Sequence, residues 1–467
     1  MIRLPAPAVL TLPERFALDV LIDLACLLPV DDPGIPAIRL ELTDAPAAAG
    51  GIAAWIGATW GIASSEGVVT IPRAALCQIV DIAGGAAEQR STGADQHGRV
   101  PSSENPLVAE GLEREPIVAQ AAEALWRAVG RAAGGRPVLR VAPWPDGRRW
   151  AVAITHDLDV VSPWPLFTGL RVAELVRKGR FDIAGSVLVR AAASLGRDPV
   201  WRGVREVVDL EARRGVRSSW FVLCGTPTPR TFVRGDLTYR PESPAVRRIL
   251  AEVGSRGHGL GLHGSFATAS SPGEFERQRA RLEKLVGRTV AGVRQHFLRL
   301  RPGSTHRAMA AAGFRYDASM GFPDRNGFRL GVADVVPAWD QDTGPIPGLD
   351  LVPFAWMDRA LSKYRGIEAP EAWVSDGLEL AAACRAVRGV WVGVWHPNLT
   401  PALGYPGAPE AFVALLDGLL QGRPWVATLD EIVTWRRARR SQRVLALKPD
   451  GTPVLAQPDV PLDSSAR

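Results

Sequence analysis

Apolar segments of strand length alternate with amphipathic helix patterns over residues 150–437 of this 467-residue chain. The run WAVAIT at 150–155 is continuously apolar, which is typical of a strand buried on both faces. Further strands are predicted at 218–223, 259–262, 293–297, 350–353, 390–395 and 425–428. Strands that alternate with helices favour an α/β fold with a mainly parallel sheet, either open or closed into a barrel.

Breaks in this pattern suggest how the chain is divided. Residues 89–105 are polar and rich in Gly and Ser, so we predict a loop there. Pro, Asp and Gly cluster at 142–149, and we place a domain boundary within that segment. The predicted parts are a smaller N-terminal accessory α/β domain at 1–145, a main domain at 146–441, and an irregular tail with four prolines at 442–467.

Composition argues against several classes of protein. No stretch approaches the roughly 18 apolar residues of a spanning helix, and prolines interrupt the apolar run in residues 1–15. We therefore expect a cytoplasmic protein with no transmembrane segment. The net charge is +6, but basic residues are spread along the chain. We interpret the Arg cluster at 436–443 as a solvated helix end, and we predict no nucleic-acid partner.

Histidine and aspartate residues mark the ends of the predicted strands. The His residues at or just past a strand end are His156, His263, His296 and His396. Ligands bind at this edge of parallel α/β sheets because the loops converge there. Asp157 and Asp159 follow the first strand on the same side of the extended chain, so one can bind a cation while the other acts as a base.

Each of these residues has a simpler interpretation when it is taken alone. An Asp pair can cap a loop or a helix, and a single His is more often a hydrogen-bonding group than a ligand. A catalytic zinc-type ion needs three protein N or O ligands and one open position. Taken together, the strand-end residues indicate a metal site with an acid/base pair.

The order of the motifs resembles the polysaccharide deacetylase family (NodB homology, carbohydrate esterase family four) over about residues 149–437. THDLD at 155–159 resembles the family's Asp-x-Asp motif, and GHGLGLHGS at 257–265 resembles its second motif. VRQHFLR at 293–299 occupies the place of the third motif, and VWHPN at 394–398 resembles the last. The resemblance implies a distorted (β/α) barrel of seven or eight strands.

The resemblance also implies a role for each matching residue. Asp157 would be the general base, Arg294 would hold and orient it, and His396 would protonate the leaving amine. Asp159 and His263 would be metal ligands. The implied cofactor is a divalent metal ion, with zinc expected first and cobalt or nickel as alternatives.

One position departs from the family pattern. The family has a second His four residues after the first, whereas this chain has Ala267, which cannot bind a metal. We hypothesise that His296 supplies the missing ligand, because it ends a neighbouring strand. The alternative is that His296 only forms hydrogen bonds in a site that has lost its metal.

Three further residues are predicted to contact substrate. Asp317 and Arg329 lie after the third motif and are candidates for lining a cleft. Trp395 suits stacking on a sugar ring. For each of the three, a place in the protein core is the alternative.

The predicted function is metal-dependent hydrolysis of an N-acetyl group on an amino sugar, in a polysaccharide or its precursor. The partner would be an N-acetylated sugar or glycan precursor. Two alternatives remain open. One is a non-catalytic carbohydrate-binding protein on a degenerate barrel, and the other is a deacylase of a non-sugar amide or an O-acyl ester.

Overall fold

The strands form three sheets in a computed structural model that describes residues 1–45, 50–161, 164–194, 196–271 and 273–463. The first sheet contains β1 (Ile2–Arg3), β2 (Ile38–Thr43), β3 (Ala63–Ser65) and β4 (Val68–Pro72), in the order β1-β2-β4-β3. The helices of this part are α1 (Leu12–Leu24), α2 (Gly51–Gly57), α3 (Arg73–Ala83), α4 (Ala86–Gln89), α5 (Pro106–Ala109) and α6 (Ile117–Ala132).

The second sheet has ten strands. They are β5 (Ala151–Leu158), β6 (Ser219–Leu223), β7 (Gly259–Gly264), β8 (Gly292–Gln295), β9 (Tyr316–Asp317), β10 (Val336–Asp340), β11 (Gly344–Leu351), β12 (Trp356–Met357), β13 (Val390–Val394) and β14 (Trp425–Val426). The helices of this part are α7 (Trp164–Arg177), α8 (Phe181–Ala193), α9 (Pro199–Ala212), α10 (Pro229–Val233), α11 (Pro244–Ser255), α12 (Glu274–Val286), α13 (Ser304–Ala311), α14 (Pro370–Ala386), α15 (Ala408–Gln421) and α16 (Leu429–Arg440).

The large sheet is parallel except at one edge. Its order is β10-β11-β9-β8-β7-β6-β5-β13-β12, and β14 pairs with β5. Neighbours are parallel from β11 to β12, and only β10 runs antiparallel, to β11. The predicted α/β class with a mainly parallel sheet is therefore confirmed.

The distorted (β/α) barrel of seven or eight strands that the resemblance implies is not closed among the described residues. Among the described residues, no hydrogen-bonded pairing joins β12 to the strands at the other end of the sheet. One edge ends in β12, which has only two residues, and the other edge is covered by antiparallel β10. The sheet is consequently open.

The two sheets share one hydrophobic core. Leu21 and Ile79 of the first part belong to the same buried cluster as Val152 and Leu262 of the second part. Phe16 also packs on Trp339, with the ring centroids 4.8 Å apart. The division of the chain near residue 145 separates the sheets in sequence, but the described residues do not form two separate cores.

The Arg cluster near the C-terminus is largely buried, which corrects its interpretation as a solvated helix end. Arg436 of α16 is fully buried and binds Asp23 at 2.9 Å and Asp334 at 2.5 Å. Arg439 and Arg440 also pair with Asp23, at 3.3 Å and 3.1 Å. Helix α16 is thus tied to helix α1, because a buried charge must be paired.

The predicted irregular tail contains a third sheet. Strand β15 (Val444–Leu447) pairs antiparallel with β16 (Pro453–Leu455). The Gln442 side chain donates hydrogen bonds to the carbonyls of Gln457 and Val460, at 2.7 Å and 2.8 Å. The tail positions 464–467 lie outside the described residues.

None of the described helices combines the length and apolar character needed to cross a membrane.

The Arg436 pairs give a stability prediction. Arg436→Met should lower the free energy of unfolding by about 3 kcal/mol or more, because Asp23 and Asp334 would lose a buried cationic partner. The matched control is Arg443→Met, since Arg443 is half-exposed and pairs with exposed Asp31 at 3.5 Å; its cost should be about 1 kcal/mol or less. Urea unfolding measures both costs, and equal values would contradict the prediction.

Candidate active site

The ends of four parallel strands bring the predicted catalytic and metal-binding residues together. Asp157 ends β5 and Asp159 follows it, His263 lies near the end of β7, and His296 follows β8. His396 follows β13 after one residue. All five side chains line a cavity of about 80 Å³. Parallel strands place their carboxyl ends at one edge, as the sequence analysis assumed.

Asp159, His263 and His296 form a compact cluster. One ligand atom from each lies within 4.8 Å of the others. The Nε2 atoms of His263 and His296 lie 3.2 Å and 3.6 Å from Asp159 Oδ1. Burial opposes ionisation of Asp159, but His296 and His263 outweigh it, so the pKa of Asp159 is held well below its ordinary value.

Hydrogen bonds on the far side of each ring turn both imidazoles toward Asp159. His263 Nδ1 lies 2.9 Å from the carbonyl oxygen of Arg294, which can only accept a hydrogen bond. His296 Nδ1 lies 3.3 Å from the Asp236 carboxylate, which is buried and accepts from the Phe266 backbone N–H. Each Nδ1 therefore carries the proton in the neutral ring, and each Nε2 presents a lone pair to the cavity.

The donor set fits a divalent cation. Asp159 Oδ1 is buried, yet no described residue makes a hydrogen bond to it. A buried carboxylate oxygen without a hydrogen-bond donor costs free energy unless another group, such as a cation, interacts with it. Two imidazole nitrogens and one carboxylate oxygen are the ligand types of a catalytic zinc site, which keeps a further position open.

Asp157 is held by a buried arginine. Arg294 is fully buried and donates from Nη1 to Asp157 Oδ1 and to Thr155 Oγ1, both at 2.8 Å. Its Nε donates to the carbonyl of Ala318 at 2.9 Å. Burial by itself would raise the pKa of Asp157, but Arg294 and His263 outweigh it and hold that pKa below its ordinary value.

His396 is held by Asp358, which the sequence analysis did not identify. Asp358 accepts from His396 Nδ1 and from the His396 backbone N–H, both at 2.6 Å. The Nε2 atom of His396 lies 3.6 Å from Asp159 Oδ2. Burial alone would lower the pKa of His396, but Asp358 outweighs it, helped by Asp159 and Asp157, so the pKa of His396 is raised.

A strained turn places His296. Strand β8 ends at Gln295, two residues before the predicted end at Phe297, and Phe297 and Leu298 have φ values of 57° and 53°. Such left-handed values are uncommon for residues other than glycine, and they cluster at functional sites. The Phe297 ring stacks on His296 at 4.0 Å and on His97 at 4.9 Å.

The rim of the cavity includes residues that the sequence analysis did not predict. Arg99 comes from the polar loop at 89–105 and donates to the Phe297 carbonyl at 2.7 Å. Arg359, Lys363 and Tyr364 follow β12 and line the same cavity. The N-terminal part of the chain therefore contributes directly to the wall of the candidate site.

The structure places the three predicted substrate-binding residues away from the cavity, which corrects that prediction. Asp317 is fully buried and accepts from the Ser319 side chain. Arg329 forms a buried pair with Glu88, with Nη2 and Oε2 2.6 Å apart. Trp395 packs in the core on Phe412, with the ring centroids 4.8 Å apart. Each of these three side chains is buried in the folded chain, which sequence position alone could not reveal.

The remaining buried histidines have structural partners. His156 lies 2.9 Å from Glu211 through Nε2 and 2.7 Å from the Trp395 carbonyl through Nδ1. His258 accepts a hydrogen bond from the Ser218 backbone N–H at 3.0 Å. His306 is buried, with Nε2 3.5 Å from Asp317 Oδ2.

No protein-family model and no curated protein matches this chain. Among solved structures, a Mycobacterium smegmatis protein assigned as a polysaccharide deacetylase is similar, with 21% identity and a TM-score of 0.42. The match covers 66% of this chain and 96% of that protein. The similar structures include sugar deacetylases.

Two further solved structures are also similar to this chain. The chitin deacetylase of Colletotrichum lindemuthianum has 11% identity and a TM-score of 0.34, and the match covers 68% of this chain and 96% of that one. An allantoinase has 13% identity and a TM-score of 0.41, with coverage of 64% and 94%. Because these TM-scores are below 0.5, the similarities do not assign a function to the chain.

The Asp358 contact gives a prediction for the metal-free protein. Asp358→Asn should lower the pKa of His396, because the carboxylate that stabilises its imidazolium form is removed. Histidine NMR titration measures this pKa, and His396→Gln identifies the resonance. Asp146→Asn, at an exposed position away from the cavity, is the control. An unchanged pKa in Asp358→Asn would contradict the assignment.

Proposed function

We propose that this protein is a metal-dependent hydrolase that removes an N-acetyl group from an amino sugar, in a polysaccharide or its precursor. The observation that carries the proposal is the cluster of Asp159, His263 and His296 beside Asp157 and His396. Three ligand-type side chains lie next to one held carboxylate and one held imidazole, an arrangement suited to metal-assisted hydrolysis of an amide.

The proposed metal ligands are Asp159, His263 and His296, and the proposed ion is zinc, with cobalt or nickel as alternatives. A divalent ion in this place supplies Lewis-acid polarisation of the acyl carbonyl and makes water more acidic. His296 takes the position that the family pattern gives to a His at 267, where this chain has exposed Ala267. The short contacts to Asp159 support this replacement.

The remaining site residues have complementary roles in proton transfer. Asp157, kept ionised by Arg294, accepts the proton of the attacking water. His396, whose protonated form Asp358 favours, gives its Nε2 proton to the departing amine. The surroundings lower the pKa of Asp157 and raise the pKa of His396, so they favour the anion of Asp157 and the cation of His396. This suits a base and an acid that act at one pH.

The cavity volume favours a small reacting group. About 80 Å³ is well below the roughly 300 Å³ or more of a pocket that encloses a whole ligand. An acetyl group and the reacting water fit such a volume, while the sugar lies outside on the rim beside Phe297 and Tyr364. The proposed partner is an N-acetylated sugar or glycan precursor.

Ala267 favours a second candidate function. Loss of a family ligand is the change expected in a non-catalytic carbohydrate-binding protein, and that candidate predicts no metal. The third possibility, a deacylase of a non-sugar amide or an O-acyl ester, uses the same side chains and differs only in the substrate.

Metal content separates the first two candidates. The wild-type chain should hold about one zinc or similar ion, and His263→Ala and His296→Ala should each hold almost none, because two remaining ligands bind weakly. Mass spectrometry of the purified proteins measures this. His97→Ala, whose ring stacks on Phe297 outside the cluster, is the control and should retain the metal.

Full occupancy in His296→Ala would refute the replacement of the family ligand by His296. An empty wild-type protein, even after incubation with excess zinc, cobalt or nickel, would favour the binding protein.

The base is tested separately from the metal. Asp157→Asn should lower kcat for acetate release from N-acetylated sugars by about 10²- to 10⁴-fold, with the metal content unchanged. Acetate release across a panel of acetylated sugars measures it, and Asp146→Asn is the matched control. A kcat close to the wild-type value in Asp157→Asn would exclude Asp157 as the base.

A further inference from the structure

Helices α7 and α8 form a hairpin that packs on itself and leaves its outer side apolar. Leu175, Ala184 and Val187 form a small buried cluster between the helices, separate from the main core. The side chains that face away from this cluster are 45–68% exposed: Leu166, Leu170, Val176, Phe181, Leu188 and Val189. Single exposed apolar residues are common, but a group of six on one hairpin indicates a binding surface.

The exposed apolar residues follow helical spacing on both helices. In α7, Leu166 and Leu170 are separated by four residues, with exposed Gly169 and Ala173 on the same side. In α8, Phe181, Leu188 and Val189 lie at i, i+7 and i+8, and exposed Ala192 continues the stripe. Each helix therefore has a continuous apolar stripe that no described residue covers.

The hairpin is also strongly basic. Residues 164–193 contain five Arg and Lys residues and two acidic residues, Glu174 and Asp182. Among the described residues, Arg177 and Arg190 form no ion pair. Arg177 lies four residues after exposed Ala173, on the side of the α7 stripe, and exposed Arg190 lies one residue, about 100° of helical turn, beyond Val189. Apolar stripes with unpaired cations near them complement a surface that has an apolar interior and an anionic boundary.

The hairpin contacts the loop that follows His396. Helix α7 begins shortly after Asp159, and Arg171 of α7 donates to the Leu403 carbonyl at 3.2 Å, on the segment that follows His396. At Gly404, which has a φ of +80°, a Cβ atom would lie 3.1 Å from Leu175 and 3.3 Å from Val187. The hairpin is therefore closely packed on the loop that follows His396.

We propose that the α7–α8 hairpin docks this protein on the surface of an anionic phospholipid bilayer. The helices have 14 and 13 residues, so each is roughly 20 Å long and too short to span a hydrocarbon core of about 30 Å. They lie in the interface instead, with the apolar stripes toward the acyl chains and Arg177 and Arg190 among the head groups.

Vesicle co-sedimentation of the purified 467-residue chain tests the proposal. Vesicles of phosphatidylglycerol mixed with phosphatidylcholine should bind the protein about tenfold or more tightly than vesicles of phosphatidylcholine alone, and salt should weaken the binding. The triple variant Phe181→Ser, Leu188→Ser, Val189→Ser should weaken it by about tenfold or more. The double variant Arg177→Gln, Arg190→Gln should weaken binding to the anionic vesicles only.

The matched control removes exposed apolar residues elsewhere. Leu445→Ser with Val454→Ser changes two exposed side chains of the C-terminal hairpin and should leave vesicle binding unchanged. A wild-type chain that does not sediment with anionic vesicles at low salt would overturn the proposal. So would a triple variant that binds like wild type while its circular dichroism and melting temperature are also unchanged.

Self-association is the competing explanation for the apolar surface. If a second copy of the chain covered the hairpin, sedimentation velocity without lipid would show a dimer for the wild type and a monomer for the triple variant. That result, together with no vesicle binding, would also overturn the proposal. Vesicle binding requires neither metal nor hydrolysis. The docking proposal and the proposed function can therefore fail independently.

Discussion

Buried Arg294 of β8 connects β5, β7 and the segment after β9, and the geometry of the candidate site depends on it. Its guanidinium binds Thr155 and Asp157 on β5 and the Ala318 carbonyl just after β9. Its own carbonyl accepts from His263 on β7, its partner in register. One residue thereby keeps a carboxylate ionised and orients an imidazole. A buried cation can do this because β5, β7, β8 and β9 run parallel and end at one edge of the sheet.

A second layer of acceptors sets the direction of each imidazole. Asp236, Asp358 and the Arg294 carbonyl face the Nδ1 atoms of His296, His396 and His263. The Nε2 atoms consequently point toward Asp159 from three sides. A hydrogen bond at the outer nitrogen already holds each imidazole ring in place. The ring therefore loses less conformational freedom when a ligand or a proton binds to its other nitrogen.

The N-terminal part of the chain supports the site from outside the large sheet. It shares the hydrophobic core, and the buried pair of Glu88 with Arg329 and that of Asp23 with Arg436 tie it to the second part. Its polar loop supplies Arg99 to the cavity wall. The left-handed turn at Phe297 lies where this loop and β8 meet, so the strain there is held by packing on both sides.

The sequence by itself determined the parallel α/β class and the strand-end positions of Asp157, Asp159, His263, His296 and His396, because strand and helix periodicity are local properties. Only the tertiary structure decided that the sheet stays open, that Asp317, Arg329 and Trp395 are buried away from the cavity, and that Asp236 and Asp358 hold the imidazoles. Those outcomes depend on contacts between distant residues, such as Arg99 and Phe297, which are 198 positions apart. The burial of a charged side chain follows from the partner that it meets in the folded chain, and its own sequence neighbours do not specify that partner.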